Sequence, residues 1–483
     1  MDGLECSVLN LKKVQNNDVR FDSEYYSKRN LYLSEKLNSI GTKTIGNYGG
    51  KLDCSAFYPS ITEYYSNDRK NIPFLRVNEI KDGLITITDH TVFLPSRIIE
   101  DNRKTIALAY PGDIIIAKGG NTLAKVGLVT NEYPMYATCR DVIILRTDDL
   151  DALNKYYLWA FLHSEYGQGI LWRSASQTGQ PHLTLPAIMR IKVPDSILLQ
   201  NTMQLLYEDS VKLKDQAEKL YKVSEIVLNR SFGLQHTNDT NIAVAVKELS
   251  NTFVKTGRLD AEYYQPKYDR LFSTLSKYTC KPLGGENGLV LFKKSIEPGS
   301  GYYQSDGVPF IRVSDISKFE IEDPEIHLPL DIVDNIEDLY PEKDTILFSK
   351  DGSVGIAYKI EDRMEIITSG ALLHLTIKNQ DEILPDYLTL VLNSPIVQLQ
   401  AERDTNGAII QHWKPSEIEK VVIPVLDMDK QIEISDKVKE SFALRKKSKQ
   451  LLEDAKRAVE IAIEQDEESA IEWLKDRKKE AGV

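Results

Sequence analysis

Two spacings of apolar residues alternate along the chain. Short apolar runs broken by Gly and Pro are typical of buried strands. Such runs are Asp113–Ala117 and Val142–Leu145 in the first half, and Thr345–Phe348 and Ala371–Leu375 in the second. Each half then continues into a long polar stretch with a different period. The pattern predicts a mixed α/β segment followed by a long helix, and it predicts this combination twice.

The two long polar stretches carry a heptad pattern, with steps that alternate between four and three residues. We predict that the first helix begins near Leu198, after Pro194, and ends near Arg230; the second begins near Lys430, after Pro424. The seams are Leu199, Met203, Leu206, Ser210, Leu213, Ala217, Leu220, Ser224 and Val227, and Ile434, Val438, Ser441, Arg445, Ser448, Leu452, Ala455, Val459 and Ala462. Two seams of similar length favour pairing of the helices over two separate amphipathic helices, each packed on its own domain.

The sequence itself is repeated, with an offset that drifts only from 230 to 238 residues. Solenoid repeats are far shorter, about 20 to 50 residues, so the chain holds two homologous domains, and we expect a pseudo-twofold axis between them. The matched segments are Arg20–Tyr26 with Arg258–Tyr264, Ile72–Ile80 with Val308–Ile316, Tyr157–Ser164 with Tyr387–Ser394, and Val193–Gln200 with Ile423–Gln431.

The predicted organisation follows from the repeat and the two helices. The boundaries are a first mixed domain at 1–197, a central helix at 198–232, a linker at 233–246, a second mixed domain at 247–429, and a distal helix with a charged tail at 430–483. The tail beyond Gln465 has few large apolar residues. It either extends the helix and docks on a partner, or frays.

Composition adds constraints on location and charge. No apolar run approaches the roughly 18 residues of a membrane span, the N-terminus does not resemble a signal peptide, and the four cysteines form no CxxC pair. We therefore expect a cytoplasmic protein. The net charge is −12, and the excess lies in the second half, where residues 233–429 hold 19 basic and 32 acidic residues. Much of it lies between Glu320 and Asp344, which argues against tight nonspecific DNA binding by this chain alone.

Several kinds of catalytic motif are missing from the sequence. There is no P-loop, no Asn/Asp-Pro-Pro-aromatic motif of amino-methyltransferases, and no nuclease carboxylate set. The seven histidines lack metal-ligand spacing. An enzyme acting alone, either a DNA methyltransferase or a nuclease, is therefore disfavoured.

Two further pairs of segments stand at equivalent positions. Lys118–Asn121 and Lys350–Ser353 each follow a predicted strand, and either could hold a phosphate with backbone N–H groups and one cation. The alternative is an ordinary β-turn with an exposed lysine, and the sequence does not choose between them. His182 and His412 are also equivalent; a surface or capping role is favoured for both.

Taken together, these features resemble the specificity (S) subunit of type I restriction-modification systems. The resemblance covers nearly the whole chain. It rests on the doubled Arg-x-Asp-x-Glu-Tyr-Tyr and Pro-Phe-[Leu/Ile]-Arg-Val motifs, on Pro111–Gly120, on Thr178–Leu183 before Ile191–Pro194, and on the helix that follows. The second copy departs from the first at Asn406–Trp413, where two residues are inserted.

This resemblance implies an α+β fold with two homologous target recognition domains, separated by two long antiparallel coiled-coil helices. Each domain would read one half of a split, asymmetric DNA target, and the helices would space the halves and bind partners. The implied partners are double-stranded DNA, two methyltransferase subunits and restriction subunits. S-adenosylmethionine, ATP and magnesium would belong to those subunits, and the chain itself would be non-catalytic. A helix of 33 residues is roughly 50 Å long and one turn of B-DNA roughly 34 Å, so the pair could act as a ruler.

The residues predicted to contact DNA are polar side chains on loops, the types that reach base edges. Arg76 and Arg312 are more simply explained as framework residues that pair with carboxylates, because they recur. The candidates are Arg76, Asn78, Lys118, Asn121, Lys125, Arg173, Gln177 and Gln180 in the first half, and Arg312, Ser314, Lys350, Ser353, Arg403, Asn406 and Gln411 in the second.

Two alternatives stay open at this point. The same scaffold could serve another methylation-based phage-defence system. A twofold scaffold that binds only proteins is also possible, and the acidic second half is the best support for it.

Overall fold

A computed structural model describes most of the chain. The described residues are 7–15, 20, 22–88, 90–176, 181–234, 244–405 and 411–480. The predicted linker at 233–246 lies largely outside them. Within the described part, every helix is too short or too polar to cross a membrane.

The N-terminal half forms strands and short helices, and the first long helix follows. Its strands are β1 Thr42–Thr44, β2 Lys51–Asp53, β3 Ile72–Leu75, β4 Ile80–Lys81, β5 Leu84–Ile85, β6 Phe93–Leu94, β7 Leu108–Ala109, β8 Ile114–Ala117, β9 Val126–Leu128, β10 Tyr136–Thr138, β11 Val142–Arg146 and β12 Lys192–Pro194. Its helices are α1 Leu11–Gln15, α2 Lys28–Asn38, α3 Ser96–Asp101, α4 Lys155–His163, α5 Glu165–Ser174, α6 Leu185–Met189 and the long α7 Leu199–Ser231.

The C-terminal half repeats this order with fewer strands. The strands are β13 Cys280–Pro282, β14 Val290–Lys294, β15 Val308–Ile311, β16 His327–Leu328, β17 Ile346–Ser349, β18 Ala357–Lys359, β19 Ile367–Thr368, β20 Leu372–Ile377 and β21 Val422–Pro424. The helices are α8 Phe253–Thr256, α9 Pro266–Leu275, α10 Pro385–Leu392, α11 Pro395–Asp404, α12 Pro415–Ile418, the long α13 Met428–Glu464 and α14 Glu467–Glu480.

The chain divides into two compact units, and both long helices contribute to both. Unit 1 comprises residues 1–213 and 446–483, and unit 2 comprises residues 214–445. The predicted α+β class is confirmed, and the four predicted apolar runs form β8, β11, β17 and β20.

Unit 1 contains three sheets. A six-stranded sheet has the order β2-β11-β8-β9-β5-β4, a four-stranded sheet has the order β6-β3-β10-β7, and β1 pairs with β12. Ile114 and Ile116 of β8 lie in one hydrophobic core with the buried α4, whereas Ile115 lies in the core of the four-stranded sheet. Side chains alternate between the faces of a strand, so the continuous apolar run of β8 fills a core on each side of its sheet.

Unit 2 has a smaller version of the same arrangement. Its sheets are β14-β20-β17-β18, β16-β15-β19 and the pair β13-β21. The register repeats that of unit 1: Thr138 pairs with Leu75 and Thr368 with Ile311, both in parallel. In place of the β4–β5 hairpin, unit 2 has a single bridge from Ile316 to Ile321.

Helix starts follow local sequence rules in both units. The Asn154 side chain accepts a hydrogen bond from the N–H of Tyr156 at 2.8 Å and caps α4, and Ser164 caps α5 in the same way. The corresponding helices of unit 2 begin with Pro385 and Pro395. Proline suits the first helical position, because its missing N–H would have no partner there.

The two long helices are paired, as predicted, and run antiparallel within each unit. In unit 1 the N–H groups of Ile197 and Leu198 donate to Glu467, at the start of α14, and the Ser210 hydroxyl bonds Ser448 at 2.9 Å. In unit 2 the Ser441 hydroxyl donates to the Ala217 carbonyl at 2.7 Å. Small seam residues permit this close approach.

The predicted seam is correct at its beginning and drifts toward the end of α7. The side chains of Leu199, Met203 and Ser210 are buried, but farther along Tyr221 and Leu228 are buried in place of Leu220 and Val227. A straight α-helix drifts about 20° per heptad relative to a 3.5-residue repeat. The one-residue shift of the buried face is therefore expected when the helix packs on the core of unit 2.

The charged tail forms a helix that packs on its own chain. Ala470 and Leu474 of α14 are buried in the main core of unit 1. Of the two predicted alternatives, the described part of the tail therefore does not fray. It packs on the first mixed domain and on the start of α7.

Candidate nucleic-acid interface

A turn of three residues lies at the centre of the candidate site in each unit. This central turn is residues 139–141 in unit 1 and 369–371 in unit 2. The Cys139 N–H donates to the Leu75 carbonyl at 2.9 Å, and the Ser369 N–H donates to Ile311 at 2.8 Å. The central turn therefore lies beside the end of β3 in unit 1 and of β15 in unit 2. The turn of the Pro-Phe-x-Arg-Val motif begins at the same strand end.

The Lys–Gly turns, residues 118–121 and 350–353, lie beside the central turn. The Lys118 N–H donates to the Asp141 carbonyl and the Lys350 N–H to the Ala371 carbonyl, both at 2.9 Å. His182 in unit 1 and His412 in unit 2, called the histidine segments below, lie on the other side of these turns. His182 forms a bridge with Gly119, and His412 with Asp351. Distant parts of the sequence are thus brought to one edge of each unit.

The lysines of these turns are engaged with the protein. The Lys118 ammonium donates to the Arg140 carbonyl at 2.6 Å, and Lys350 forms a salt bridge with Asp351. Asn121, Lys125 and Ser353 are exposed. Gly120 and Gly352 have φ of +70° and +75°, a conformation that glycine adopts without strain. This geometry fits both interpretations of the turns, so a phosphate-binding role stays a prediction.

Arg76 and Arg312 pair with carboxylates, as their recurrence suggested. The buried Glu79 carboxylate accepts from the Arg76 backbone N–H at 2.7 Å and from its guanidinium at 3.0 Å. Asp315 binds Arg312 in the same way, at 2.9 and 3.2 Å. These charge-assisted bonds hold the turn after β3 or β15. The exposed Asn78 and Ser314 lie within these turns, and the Ser314 hydroxyl donates to Asp315 at 2.8 Å.

Arg173 and Arg403 lie in the last turns of α5 and α11 and not on loops; Arg173 is buried and Arg403 is partly buried. The Arg173 guanidinium donates to the Tyr25 carbonyl at 3.0 Å and stacks on the Tyr25 ring at 4.0 Å. Arg403 pairs with Asp404 and stacks on Phe272 at 4.4 Å. Both guanidinium groups therefore make most of their contacts within the chain.

Four predicted residues remain, and the structure describes one of them. Gln411 is exposed next to His412, and its carbonyl accepts from the Gly352 N–H at 3.0 Å. Gln177, Gln180 and Asn406 lie outside the described residues. Their predicted contacts with DNA stay predictions.

Sequence reasoning missed an aromatic and cationic group on unit 1. The Arg140 guanidinium in the central turn lies 5.4 Å from the Phe57 ring centre and 5.8 Å from that of Tyr58. Burial raises the pKa of Tyr58 to about 12 and that of Cys139 to about 11. Both stay neutral near pH 7. Residues 54–71 hold four aromatic residues beside Arg69 and Lys70, a composition that could have drawn attention to this loop.

Comparisons with known proteins give one match to a family model. Residues 286–454 match the family model described as "Type I restriction modification DNA specificity domain". No curated protein matches the chain by sequence.

Solved structures with similarity to this chain include two S subunits. The type I system S subunit from M. genitalium is 13% identical, with 90% of this chain and 96% of that chain covered and a TM-score of 0.34. The HsdS subunit from Thermoanaerobacter tengcongensis is 13% identical, with coverage of 86% and 97% and a TM-score of 0.26.

The family match lies in the second half, and the first half repeats that half in sequence, strand register and central turn. Residues 286–454 are therefore similar to the DNA specificity domain of type I restriction-modification systems.

Proposed function

We propose that the chain reads a bipartite, asymmetric DNA target, with one half-site for each unit. The observation that carries this proposal is the duplicated edge: the same central turn, Lys–Gly turn and histidine segment occur in both units. A common framework with unlike exposed residues suits the reading of two unlike sequences, because base edges are distinguished by the side chains that reach them.

The proposed partners follow from the family. Two methyltransferase subunits bind the chain, and restriction subunits join them, so that the complex methylates adenine or cleaves DNA. S-adenosylmethionine, ATP and magnesium are held by those subunits. The cytoplasm is the proposed compartment.

The paired helices α7 and α13 are proposed to set the distance between the half-sites. The hydrogen bonds of Ser210 with Ser448 and of Ser441 with Ala217 support this role, because they fix the register of one helix against the other. A spacer must keep its register if it is to hold a constant length.

A protein-binding scaffold that does not read DNA is the second candidate. It is favoured by the acidic character of residues 233–429, since a surface of like charge repels the DNA backbone. The two candidates differ in one property, which is sequence-specific retention of DNA by the assembled complex.

Sequence enrichment from a randomised DNA library tests this difference. The full chain is purified with its genomically adjacent methyltransferase, and the methyltransferase alone is the control. We expect a split motif with two unlike halves and a fixed gap to be enriched only when the chain is present. An assembled complex that enriches no motif would contradict the proposal and favour the scaffold.

A further inference from the structure

An exposed phenylalanine stands beside an exposed arginine on unit 1. The Phe57 side chain is 76% exposed, and its ring lies under the Arg140 guanidinium at 5.4 Å. A cation–π contact at such an exposed site contributes little to stability. This small stabilisation does not account for the exposure of the Phe57 ring to water. Contact of the ring with a ligand explains its exposure better.

The backbone around this pair is held firmly. The buried Ser55 hydroxyl donates to the Thr138 carbonyl at 2.7 Å and accepts from the Ala107 N–H at 2.9 Å. The Ala56 N–H donates to the Thr105 carbonyl at 2.8 Å. Phe57 is therefore anchored by the residues before it, directly next to the central turn.

Arg140 is held from the other side by Lys118. The Lys118 ammonium donates to the Arg140 carbonyl at 2.6 Å, so the Lys–Gly turn supports the backbone of the arginine. Among the described residues, no salt bridge engages the Arg140 guanidinium. Its donors are oriented by two aromatic rings and left available to an acceptor outside the chain.

Unit 2 has different chemistry at the same place. Leu52 pairs with Leu145, and Phe292 pairs with the equivalent Leu375, which aligns Phe57 with Glu297. The central turns align Arg140 with Gly370, whose N–H donates to the Ile296 carbonyl at 3.0 Å. A Cβ on Gly370 would lie 2.7 Å from the Glu297 carboxylate. Unit 2 thus has Glu297 and Gly370 at the positions where unit 1 has Phe57 and Arg140.

We propose that Arg140 and Phe57 determine the base preference of the half-site read by unit 1. Arg140 donates to the O6 and N7 atoms of a guanine in the major groove, the acceptor pair that a guanidinium fits best. Phe57 orients the guanidinium and covers the adjoining base, and Lys118 is a positioning residue. Unit 2 lacks this group. The inference rests on the proposed function.

The test uses the full chain with its methyltransferase and the enrichment assay described above. We expect Arg140→Ala to relax the preference for guanine at one position of one half-site by about 5-fold to 100-fold, the range for one bidentate base contact. Arg140→Lys should relax the same position, because an ammonium cannot make the bidentate contact. Phe57→Ala should relax that position and its neighbour, and the other half-site should stay unchanged.

Two matched variants serve as controls. Arg29 is another exposed arginine of unit 1, paired with Glu165, and Arg29→Ala should leave the motif unchanged. Glu297→Ala in unit 2 should leave the half-site read by unit 1 unchanged. Thermal unfolding and co-purification with the methyltransferase establish that each variant is folded and assembled.

The outcomes separate this inference from the proposed function. Weaker binding by Arg140→Ala with an unchanged motif would mean a phosphate contact and would overturn the inference. An unchanged motif at unchanged affinity would overturn it as well. In both cases the wild-type motif would still support the proposed function, whereas a wild-type complex that enriches no motif would refute both.

Discussion

Three groups of arginines differ in what holds their guanidinium groups. Arg20 and Arg258 each pair with an aspartate two residues later and donate to a backbone carbonyl more than 140 residues away. Arg76 and Arg312 pair with a carboxylate in their own turn. Arg140 lies on aromatic rings. The first two groups recur in both units and hold the framework, whereas the third occurs once and is assigned to recognition.

The Arg20 clamp should not tolerate lysine. Its guanidinium bonds both oxygens of Asp22 and the carbonyls of Arg173 and Ala175, a planar set of donors that an ammonium cannot replace. We expect Arg20→Lys to lower the free energy of unfolding by about 1–3 kcal/mol, measured by urea unfolding. Arg29→Lys, at an exposed ion pair, is the control and should change it by less than about 0.5 kcal/mol. Equal effects of the two changes would argue against the clamp.

Two histidines, the buried His374 and the half-buried His163, should make the fold sensitive to mild acid. Burial lowers the pKa of His163 and that of His374 to about 4, so both are neutral in the folded chain. The unfolded chain binds their protons below about pH 6.5. Stability should therefore be fully present above pH 6.5 and fall as pH drops toward 4, by up to about 1.4 kcal/mol per pH unit for each histidine.

A neutral replacement isolates this effect in unit 1. His163 stacks on Trp159 at 6.0 Å, and His163→Phe keeps a ring there without a titrating group. The melting temperature should decrease less between pH 7 and pH 5 in this variant than in the wild type. His90→Asn, at an exposed site, is the control, and an equal loss in both variants and the wild type would exclude His163 as a source.

Sequence reasoning identified recurrent residues well and unique ones poorly. Arg76 was predicted to pair with a carboxylate because it recurs, and it does. Arg173 was placed on a loop but lies in α5, packed on Tyr25, because polarity alone does not reveal which arginines are on loops; its contact with DNA stays a prediction. Arg140 was missed, since its partner Phe57 is 83 residues away and only the fold brings them together.

The long helices show what a heptad pattern can and cannot predict. The pattern located α7 and α13 to within two residues at their starts and predicted their pairing. It did not predict that Tyr221 would replace Leu220 on the buried face, because that choice depends on packing against Phe319 and Phe442 in unit 2. The interruption at Arg445 also has a structural explanation: its guanidinium stacks on Phe319 at 3.8 Å.

Lengthening the helices should lengthen the gap in the DNA target. An insertion into the first helix is predicted to change the gap and leave both half-sites unchanged; because α7 and α13 are paired, one heptad is best added to each, after Leu213 and after Arg445. Seven helical residues add about 10 Å, which is at most about three base pairs. Methylation mapping measures the result. Altered half-site bases with an unaltered gap would contradict the spacer role.

At the scale of the whole molecule, the duplication should make the two proposed recognition functions separable. Each unit has its own cores and its own central turn, and the acidic excess is confined to the second half. The resemblance to a specificity subunit could be inferred from the repeated motifs alone. The different chemistry of the two units, with Phe57 and Arg140 in unit 1 where unit 2 has Glu297 and Gly370, could be recognised only from the strand register.

Exchange of one domain tests this independence. Replacing residues 40–190 with the matching part of a related chain should change one half-site and leave the other half-site and the gap unchanged. Methylation mapping of the chimera, with the unmodified chain as control, gives the answer. Changes in both halves would contradict two independent recognition domains.

The most direct test of the central claim is methylation mapping by long-read sequencing. The chain is co-expressed with its adjacent methyltransferase in a host without methylation, and the methyltransferase alone is the control. The account predicts a split motif, methylated on adenine, that occurs only when this chain is present. Methylation that is unchanged by the chain, once the complex is shown to form, would contradict its role as the specificity subunit.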